Sequence, residues 1–441
     1  MTHSEKTKLF YGWWVVAACS LIVLLTAMSR YSLTIFMPTL EAELGWNRAT
    51  LGFGMTVHLW VYACASLLVG ILVDKFGSRF PMMIGGALIS AGIFLLSGVG
   101  TTLEFQLFYG VILGLGVSFA YFVPGVAAAR VWFQEKGALA IAITSLGSAC
   151  GLAIVSFLIP AMIEAWGWRT AWLYLGLTAG ALIMALSLVV KRSPAVMGLY
   201  PDGVSAQEHT ERMAATEGPA APARDWTVKE ALKTPSFWCV AMAYTAFNFP
   251  GMGLVAHVAS WGFDIARQSG VAPASAKTAI TAAMFALSIL AVVGMLLGGA
   301  LSDRFGKKPV SIVALVTGLL LCLAFTQVTS LFGFAVAMLL FGLIPSFFYP
   351  IWTALLGDMF GTKPLATLIS IGIFVGAIIG GTGSYVYGWA FTTFGSYNIA
   401  FLISAGCFLF ATVSILLARH NPQPVAGTRS ATKSMSIPAS E

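Results

Sequence analysis

Charge is what this chain has least of. Only 9% of its 441 residues are Asp, Glu, Lys or Arg, whereas 58% are hydrophobic, and the mean hydropathy is +0.87. Soluble domains carry about 25% charged residues. A chain this poor in charge cannot cover a water-facing surface, which excludes a soluble enzyme, a nucleic-acid binder and a disordered protein. Acid is the scarcer sign: all 17 acidic residues fall in loops, termini or helix edges. The six cysteines (Cys19, Cys64, Cys150, Cys239, Cys322, Cys407) sit in apolar stretches without metal-ligand spacing. They read as small packing residues, and neither a disulfide framework nor a metal site is expected. A phosphate-cradling loop and a nucleophile–base pair are missing too, so ATP-driven chemistry, enzyme activity and a cofactor have no support. No segment alternates polar and apolar residues in the roughly 10-residue units of a membrane barrel.

What the chain has instead is long apolar runs. A bilayer core takes about 20 mainly apolar residues per helix. Twelve such spans are predicted, at 11–39, 51–73, 80–100, 105–129, 137–160, 170–190, 236–262, 276–302, 309–328, 331–356, 364–391 and 397–418. The first is too long for a signal peptide's apolar region and lacks Ala-x-Ala cleavage chemistry, so it is expected to remain as a helix. Spans six and seven are separated by a polar stretch with Glu208, Glu211, Glu217, Pro219 and Pro222. This reads as a flexible linker closed by a short amphipathic helix at 226–232. The predicted organisation is a six-helix half at 1–190, a linker at 191–235, a second half at 236–418 and a tail at 419–441. Lysine and arginine orient it. One side holds only Arg48, Arg169, Arg267 and Lys277, and Arg30 lies inside the first span; the rest of the 24 basic residues fall on the other side. Both termini and the linker are therefore expected in the cytoplasm, with the formal charge of +7 a topology signal rather than a nucleic-acid footprint.

Two loops match closely. Gly70-Ile-Leu-Val-Asp74-Lys75-Phe76-Gly77-Ser78-Arg79 follows span two, and Gly299-Ala-Leu-Ser-Asp303-Arg304-Phe305-Gly306-Lys307-Lys308 follows span eight. A fainter echo pairs Tyr121-Phe122-Val123-Pro124 with Phe348-Tyr349-Pro350, and Phe133 and Lys136 with Phe360 and Lys363. The halves read as parallel repeats about an axis normal to the membrane. The twin loop resembles the signature of the major facilitator superfamily, and the resemblance covers all twelve spans. It implies an all-α membrane protein of two six-helix pseudo-symmetric bundles working by alternating access. Gly70, Asp74, Arg79, Gly299, Asp303 and Arg304 are candidates for a conformational latch. Asp74 and Asp303 can each face a helix N-terminus and neighbouring basic groups, and the glycines permit a tight turn and close helix approach. The basic residues serve equally well as water-side anchors.

A narrower resemblance is to the monocarboxylate transporter and oxalate/formate antiporter branch. It rests on Tyr11-Gly12-Trp13-Trp14 and Ser32-Leu-Thr34-Ile-Phe36 in span one, and on Trp132-Phe133-Gln-Glu135-Lys136 leading into Gly147-x-x-x-Gly151. Met197-Gly198-Leu-Tyr-Pro201-Asp202-Gly203 after span six adds to it. The departures bear on substrate. Gly294 and Gly298 stand where animal carriers of this branch place an aspartate and an arginine in span eight. Tyr31 takes the register of their first-span lysine, with Arg30 beside it. Span eleven has no lysine, Lys363 lying at its edge, and Gly110 replaces the span-four arginine of proton-coupled members.

Ionisable groups within the spans come down to Arg30, His58 and His257. An arginine in hydrocarbon costs at least about 2.5–3.5 kcal/mol unless it faces a wet cavity or a partner. With no embedded acid to pair with, an anionic substrate held by the guanidinium fork is the economical partner; the competing reading is a side chain that snorkels to the interface. His58 and His257 are the proton-coupling candidates, or else packing residues. Tyr31, Trp60, Tyr121, Phe122, Phe348, Tyr349, Trp352 and Tyr385 are candidate cavity aromatics, with lipid-facing placement the alternative for any one of them. Pro124, Pro350 and Pro250 (after Asn248) mark helix bends tolerated where a cavity lies alongside. Glycines at 147, 151, 372, 376, 380, 381 and 383 suit close packing. The expected substrate-binding set is Arg30, Tyr31, Tyr121, Phe122, His257, Tyr349 and Tyr385, serving a small organic anion such as a monocarboxylate. An aromatic or heterocyclic nutrient, a vitamin or a drug-like efflux substrate is the alternative. The expected protein is a monomeric multi-pass carrier of the cytoplasmic membrane, with protons as candidate co-substrate.

Overall fold

The computed structural model describes residues 10–133, 136–208, 226–361 and 364–419. Lys363, Glu211, Glu217, Pro219, Pro222 and the tail beyond Arg419 lie outside the described residues, as does the side chain of Asp74. Within them the secondary structure is helical and no strand occurs, as a chain without water to satisfy its backbone requires.

Eleven helical segments are long and apolar enough to cross a membrane. Span one is Tyr11–Leu44, span two Arg48–Val73, span three Arg79–Ser97 and span four Thr102–Trp132. Spans five and six form one helical run, Gly137–Ser187. Span seven is Pro235–Gln268, span eight Pro273–Phe305, span nine Lys307–Phe325, span ten Leu331–Phe360, span eleven Thr367–Phe394 and span twelve Asn398–Leu417. The 51-residue run would reach about 77 Å if straight, more than twice the roughly 30 Å hydrocarbon core. It turns at Gly167, whose φ of 75° and ψ of 160° leave the helix. On one side of the turn, Trp168 Nε1 donates to Glu43 at 2.6 Å and Arg169 to Val99 O at 3.0 Å. At the run's other end Val189 O accepts from Tyr11 Oη at 2.9 Å. The chain therefore doubles back, and twelve crossings result. Spans five and six are thus connected by this single glycine turn.

The end of the molecule that carries the twin loops is called the basic end here, and the opposite one the far end. Gly77 and Gly306 turn the loops with φ of 78° and 90°, a conformation that favours glycine. At Gly70 and Gly299 an added Cβ would meet nothing within 4 Å. The close helix approach expected at those two positions is absent, because the basic ends of the neighbouring helices stand apart. Lys307 Nζ pairs with Asp358 at 2.6 Å, whereas Asp303, Arg79 and Arg304 make no ion pair among the described residues; Arg304 lies over the Phe305 ring, 5.4 Å from its centroid. The short linker helix is Val228–Leu232, its N-terminus closed by reciprocal Thr227 and Glu230 bonds. The stretch around Met197–Gly203 docks on the entry to span five, where Asp202 accepts from Lys136 N at 3.2 Å.

The apolar core is unequally shared. One continuous cluster runs from Val15 through the first half into the far-end parts of spans seven, eight, ten, eleven and twelve. A separate cluster fills the basic-end part of the second half, around Phe237, Leu315, Trp352 and Phe408. The halves are fused at the far end and separate at the basic end. Outside, side chains such as Leu68, Ile71, Leu296 and Phe332 are exposed, the inverse of a soluble surface and what a lipid solvent demands.

Candidate functional site

Span one presents Arg30 between the halves with 7% of its surface exposed. Its guanidinium carbon lies 5.5 Å from the Tyr31 ring centroid, 5.4 Å from Tyr62 and 5.5 Å from Tyr121. These are cation–π distances. Nη2 points to Met252 Sδ of the second half at 4.0 Å, and Nε is buried with no partner. No carboxylate pairs with Arg30 among the described residues. A buried cation without a counter-ion costs several kcal/mol, so the arrangement is complementary to an anion.

The backbone that carries Tyr121 is interrupted. Span four begins with a short α-turn, widens to a π-helix over Gln106–Leu113, and breaks at Tyr121 with φ −83° and ψ −122°. Pro124 causes the break, since its ring displaces the Ala120 carbonyl and removes a donor. Span ten repeats the device, with a 3₁₀ turn at Pro345–Phe347 ahead of Pro350. Each break aims aromatic side chains at the space between the halves. Tyr121 Oη bonds with Ser148 Oγ. Tyr349 is 42% exposed, its ring 6.3 Å from that of Tyr244 between centroids. Tyr244 stacks on Trp352 at 4.0 Å between centroids.

Of the residues expected from the sequence, Arg30, Tyr31, Tyr121 and Tyr349 come together. Phe122 packs half-buried against the first-half core. His58 is fully buried and connected to Arg30 through Tyr109, whose hydroxyl donates to Arg30 O at 2.7 Å: the His58 Nδ1 donates to Tyr109 O at 3.1 Å, a carbonyl of the π-helix, and its Nε2 has no partner. Tyr385 and His257 lie elsewhere. Tyr385 flanks the outer seam against Phe53, in a cleft of about 440 Å³ that Asn47, Thr50 and Gln106 also line. His257 is buried near the far end, away from Arg30, because its two ring nitrogens are engaged there by Ser384 and Tyr397. Three residues were missed in the sequence, Tyr62, Tyr244 and Met252. Tyr62 sits one turn beyond His58. Tyr244, Asn248 and Met252 recur every four residues, the spacing of one helix face, and that periodicity was the available signal.

The far end is closed by polar contacts between the halves. Arg48 opens span two and is 5% exposed in its side chain, and it forks onto Asp264 of span seven. Its Nη2 reaches Asp264 Oδ1 at 2.9 Å, Nη1 donates to Tyr397 Oη at 2.8 Å, and Nε donates to Glu41 at 2.8 Å. Its guanidinium lies 3.7 Å from the Phe391 centroid. Below this cluster Thr56 Oγ1 donates to Gly381 O at 3.0 Å and Trp60 Nε1 to Ile378 O at 2.8 Å. The Ile378 carbonyl belongs to the π-helical turn at Gly376–Gly380, and the Gly381 carbonyl also accepts from Ser384 N at 3.4 Å. Lys277 pairs with Glu164 across the same seam. Among the described residues, the ion pairs and hydrogen bonds joining the halves lie in the far-end half of the spans or at their middle. Arg48 and Lys277, which the sequence presents as topology markers, are thus cross-half contacts.

Two helical halves joined at one end, with an unpaired cation among phenols between them, make the architecture of a membrane carrier rather than an enzyme. The family model of the Major Facilitator Superfamily matches residues 19–275 and 251–440, and the chain belongs to that superfamily. The oxalate:formate antiporter of Oxalobacter formigenes is 27% identical over 406 residues, covering 89% of this chain and 88% of that protein. Monocarboxylate transporter 12 of Xenopus laevis is 25% identical, covering 94% and 91%. Among solved structures, a bacterial homolog of the human lysosomal transporter Spinster, inward-facing and occupied, superposes with a TM-score of 0.70 at 17% identity, covering 92% of this chain and 97% of that one. That likeness concerns the fold. The protein is a multi-pass membrane transporter with monocarboxylate and oxalate:formate carriers among its relatives.

Proposed function

We propose that the protein moves a small monocarboxylate across the cytoplasmic membrane by alternating access, its carboxylate bound at Arg30. One observation carries this reading: the Arg30 guanidinium is buried between the halves, ringed by three tyrosines and paired with no acid. One cation in this position matches one carboxylate, held by the planar fork. Tyr31, Tyr62, Tyr121 and Tyr349 would enclose the organic body and offer hydroxyls. Names of the relatives support an organic anion as cargo. The density of rings, with Tyr244 stacked on Trp352, favours a flat aromatic or heterocyclic acid as the second reading.

His58 is the proton acceptor in this reading. Its Nδ1 faces a carbonyl and so keeps its hydrogen, which leaves Nε2 as a buried lone pair, and Tyr109 links His58 to Arg30 by donating its hydroxyl to Arg30 O. A carboxylate arriving at Arg30 would offset the charge of a proton taken up there, so uptake driven by an inward proton gradient is expected. The basic end then faces the cytoplasm with both termini. Gly70, Asp74, Arg79, Gly299, Asp303 and Arg304 form the latch that closes that end in the opposite conformer. The experiment is uptake of a panel of carboxylates into reconstituted vesicles under imposed pH gradients. Arg30→Ala should abolish carboxylate uptake, and unimpaired uptake by that variant would remove the assignment.

A further inference from the structure

We propose that Nδ1 of His257 is a proton-binding site whose occupation opens the far-end closure. The hydrogen-bond chain that seals this end fixes the tautomer. His257 Nε2 lies 2.8 Å from Ser384 O, and a carbonyl only accepts, so Nε2 carries the hydrogen. Nδ1 is therefore a lone pair and receives the Tyr397 hydroxyl at 3.3 Å. That same hydroxyl oxygen accepts from Arg48 Nη1 at 2.8 Å. The order is Arg48 N–H to Tyr397 O–H to His257 Nδ1, and His257 Nε2–H to Ser384 O. All donors are placed, and only a neutral imidazole allows it.

A proton on Nδ1 reverses the middle bond. The imidazolium then has to donate to the Tyr397 oxygen that already serves Arg48, and the tyrosine hydrogen loses its acceptor. Two cations share one hydroxyl inside a buried seam. The titratable and charged groups around the ring offer no relief: Arg48 from span two, Tyr387 of span eleven stacked at 6.3 Å between centroids, and Tyr397 of span twelve at 5.6 Å. On its own helix Asp264 is committed to Arg48, as is Glu41 from span one. No carboxylate touches the His257 ring among the described residues. Ser384, Tyr397 and Asp264 belong to the second half and Arg48 to the first, so the strain falls on the contact that holds the halves together. A proton that binds better to the open conformer must drive opening, by linkage.

Proton-driven opening of the seam requires no cargo and is measured without transport. Thr56 is 1% exposed and lies in the seam. In lipid nanodiscs, maleimide labelling of Thr56→Cys is followed from pH 8 to 5, corrected for the parent protein's own cysteines and normalised to the denatured chain at each pH. Labelling should rise as pH falls, by up to about 30-fold, the bound set by an imidazole of ordinary proton affinity once it meets water. His257→Gln retains an amide donor for Ser384 O and cannot take a proton, so its labelling should stay low and flat. A flat response in the parent background overturns the proposal. An unchanged response in His257→Gln also overturns it, assigning the effect to Asp264 or Glu41. As a variant-free measurement, ¹⁵N spectra of the imidazoles should show His257 gaining its proton at the midpoint of opening; a ring that stays neutral while the seam opens refutes the assignment.

Discussion

Removing one charge from the far-end seam should leave the protein folded and reset which way it faces. Asp264→Asn keeps the shape of the side chain and deletes the charge that Arg48 forks onto. The pair is 5% and 12% exposed in its side chains, and breaking a buried pair by removing one partner costs about 3–5 kcal/mol. Glu41 stays on Arg48 Nε and is itself 33% exposed in its side chain, which places the cost at the low end, about 3 kcal/mol. The contact joins two halves that separate in the transport cycle, so this cost falls on the far-end-closed conformer alone. It amounts to roughly a 100-fold shift toward the open one. Glu41→Gln is the internal comparison, because Glu41 is 33% exposed in its side chain and belongs to the same half as Arg48, so its loss is worth about 0.2–1 kcal/mol and leaves both second-half partners of Arg48, Asp264 and Tyr397, in place. Labelling of Thr56→Cys at pH 8 reads both. The expected result is strong labelling with Asp264→Asn and a change of less than about fivefold with Glu41→Gln. Equal labelling in the two variants would refute the idea that the buried pair closes the seam.

Two further outcomes are expected. Gly388→Ala places a methyl group against the Arg48 carbonyl and within 2.8 Å of Ala49 Cα across the seam. At about 1–3 kcal/mol of overpacking it should raise Thr56→Cys labelling about fivefold or more, whereas Gly406→Ala, with nothing within 4 Å, should leave it unchanged. Tyr62→Leu removes one ring from beside Arg30, an interaction of about 0.5–2 kcal/mol; KM for carboxylate uptake should rise about 2- to 30-fold with kcat largely kept, and an unchanged KM would count against Tyr62 as a wall of the site.

Much of the architecture was legible in the chain. Apolar runs mark the crossings because a helix must satisfy its own backbone in lipid, and the twin loops around Asp74 and Asp303 mark the repeat. Arg30 was legible for the same reason: a lone cation in an apolar run has to be explained. Tyr121 and Tyr349 could be picked from other aromatics because Pro124 and Pro350 follow them, and the breaks lie there. Tyr62 and Tyr244 carry no such flag, and only their four-residue spacing from His58 and Asn248 hinted at a shared face. His257 and Tyr385 looked equivalent to the cavity residues in one dimension, yet they pack into the seam and its flank, because helix rotation is set by neighbours rather than by local sequence.

Local chemistry in the chain settled that this is a membrane protein, how many times it crosses, that two of its helices break beside Pro124 and Pro350, and where an unpaired charge must be accommodated. Each of these follows from the solvent and the backbone, and neither requires knowledge of what lies across the bundle. The tertiary structure alone decided that Arg48 meets Asp264, 216 residues away, that His257 closes the chain of donors behind them, and that among the described residues the polar contacts between the halves gather toward one end. Those pairings depend on how two rigid bundles lean against each other, and no run of neighbouring residues encodes that angle.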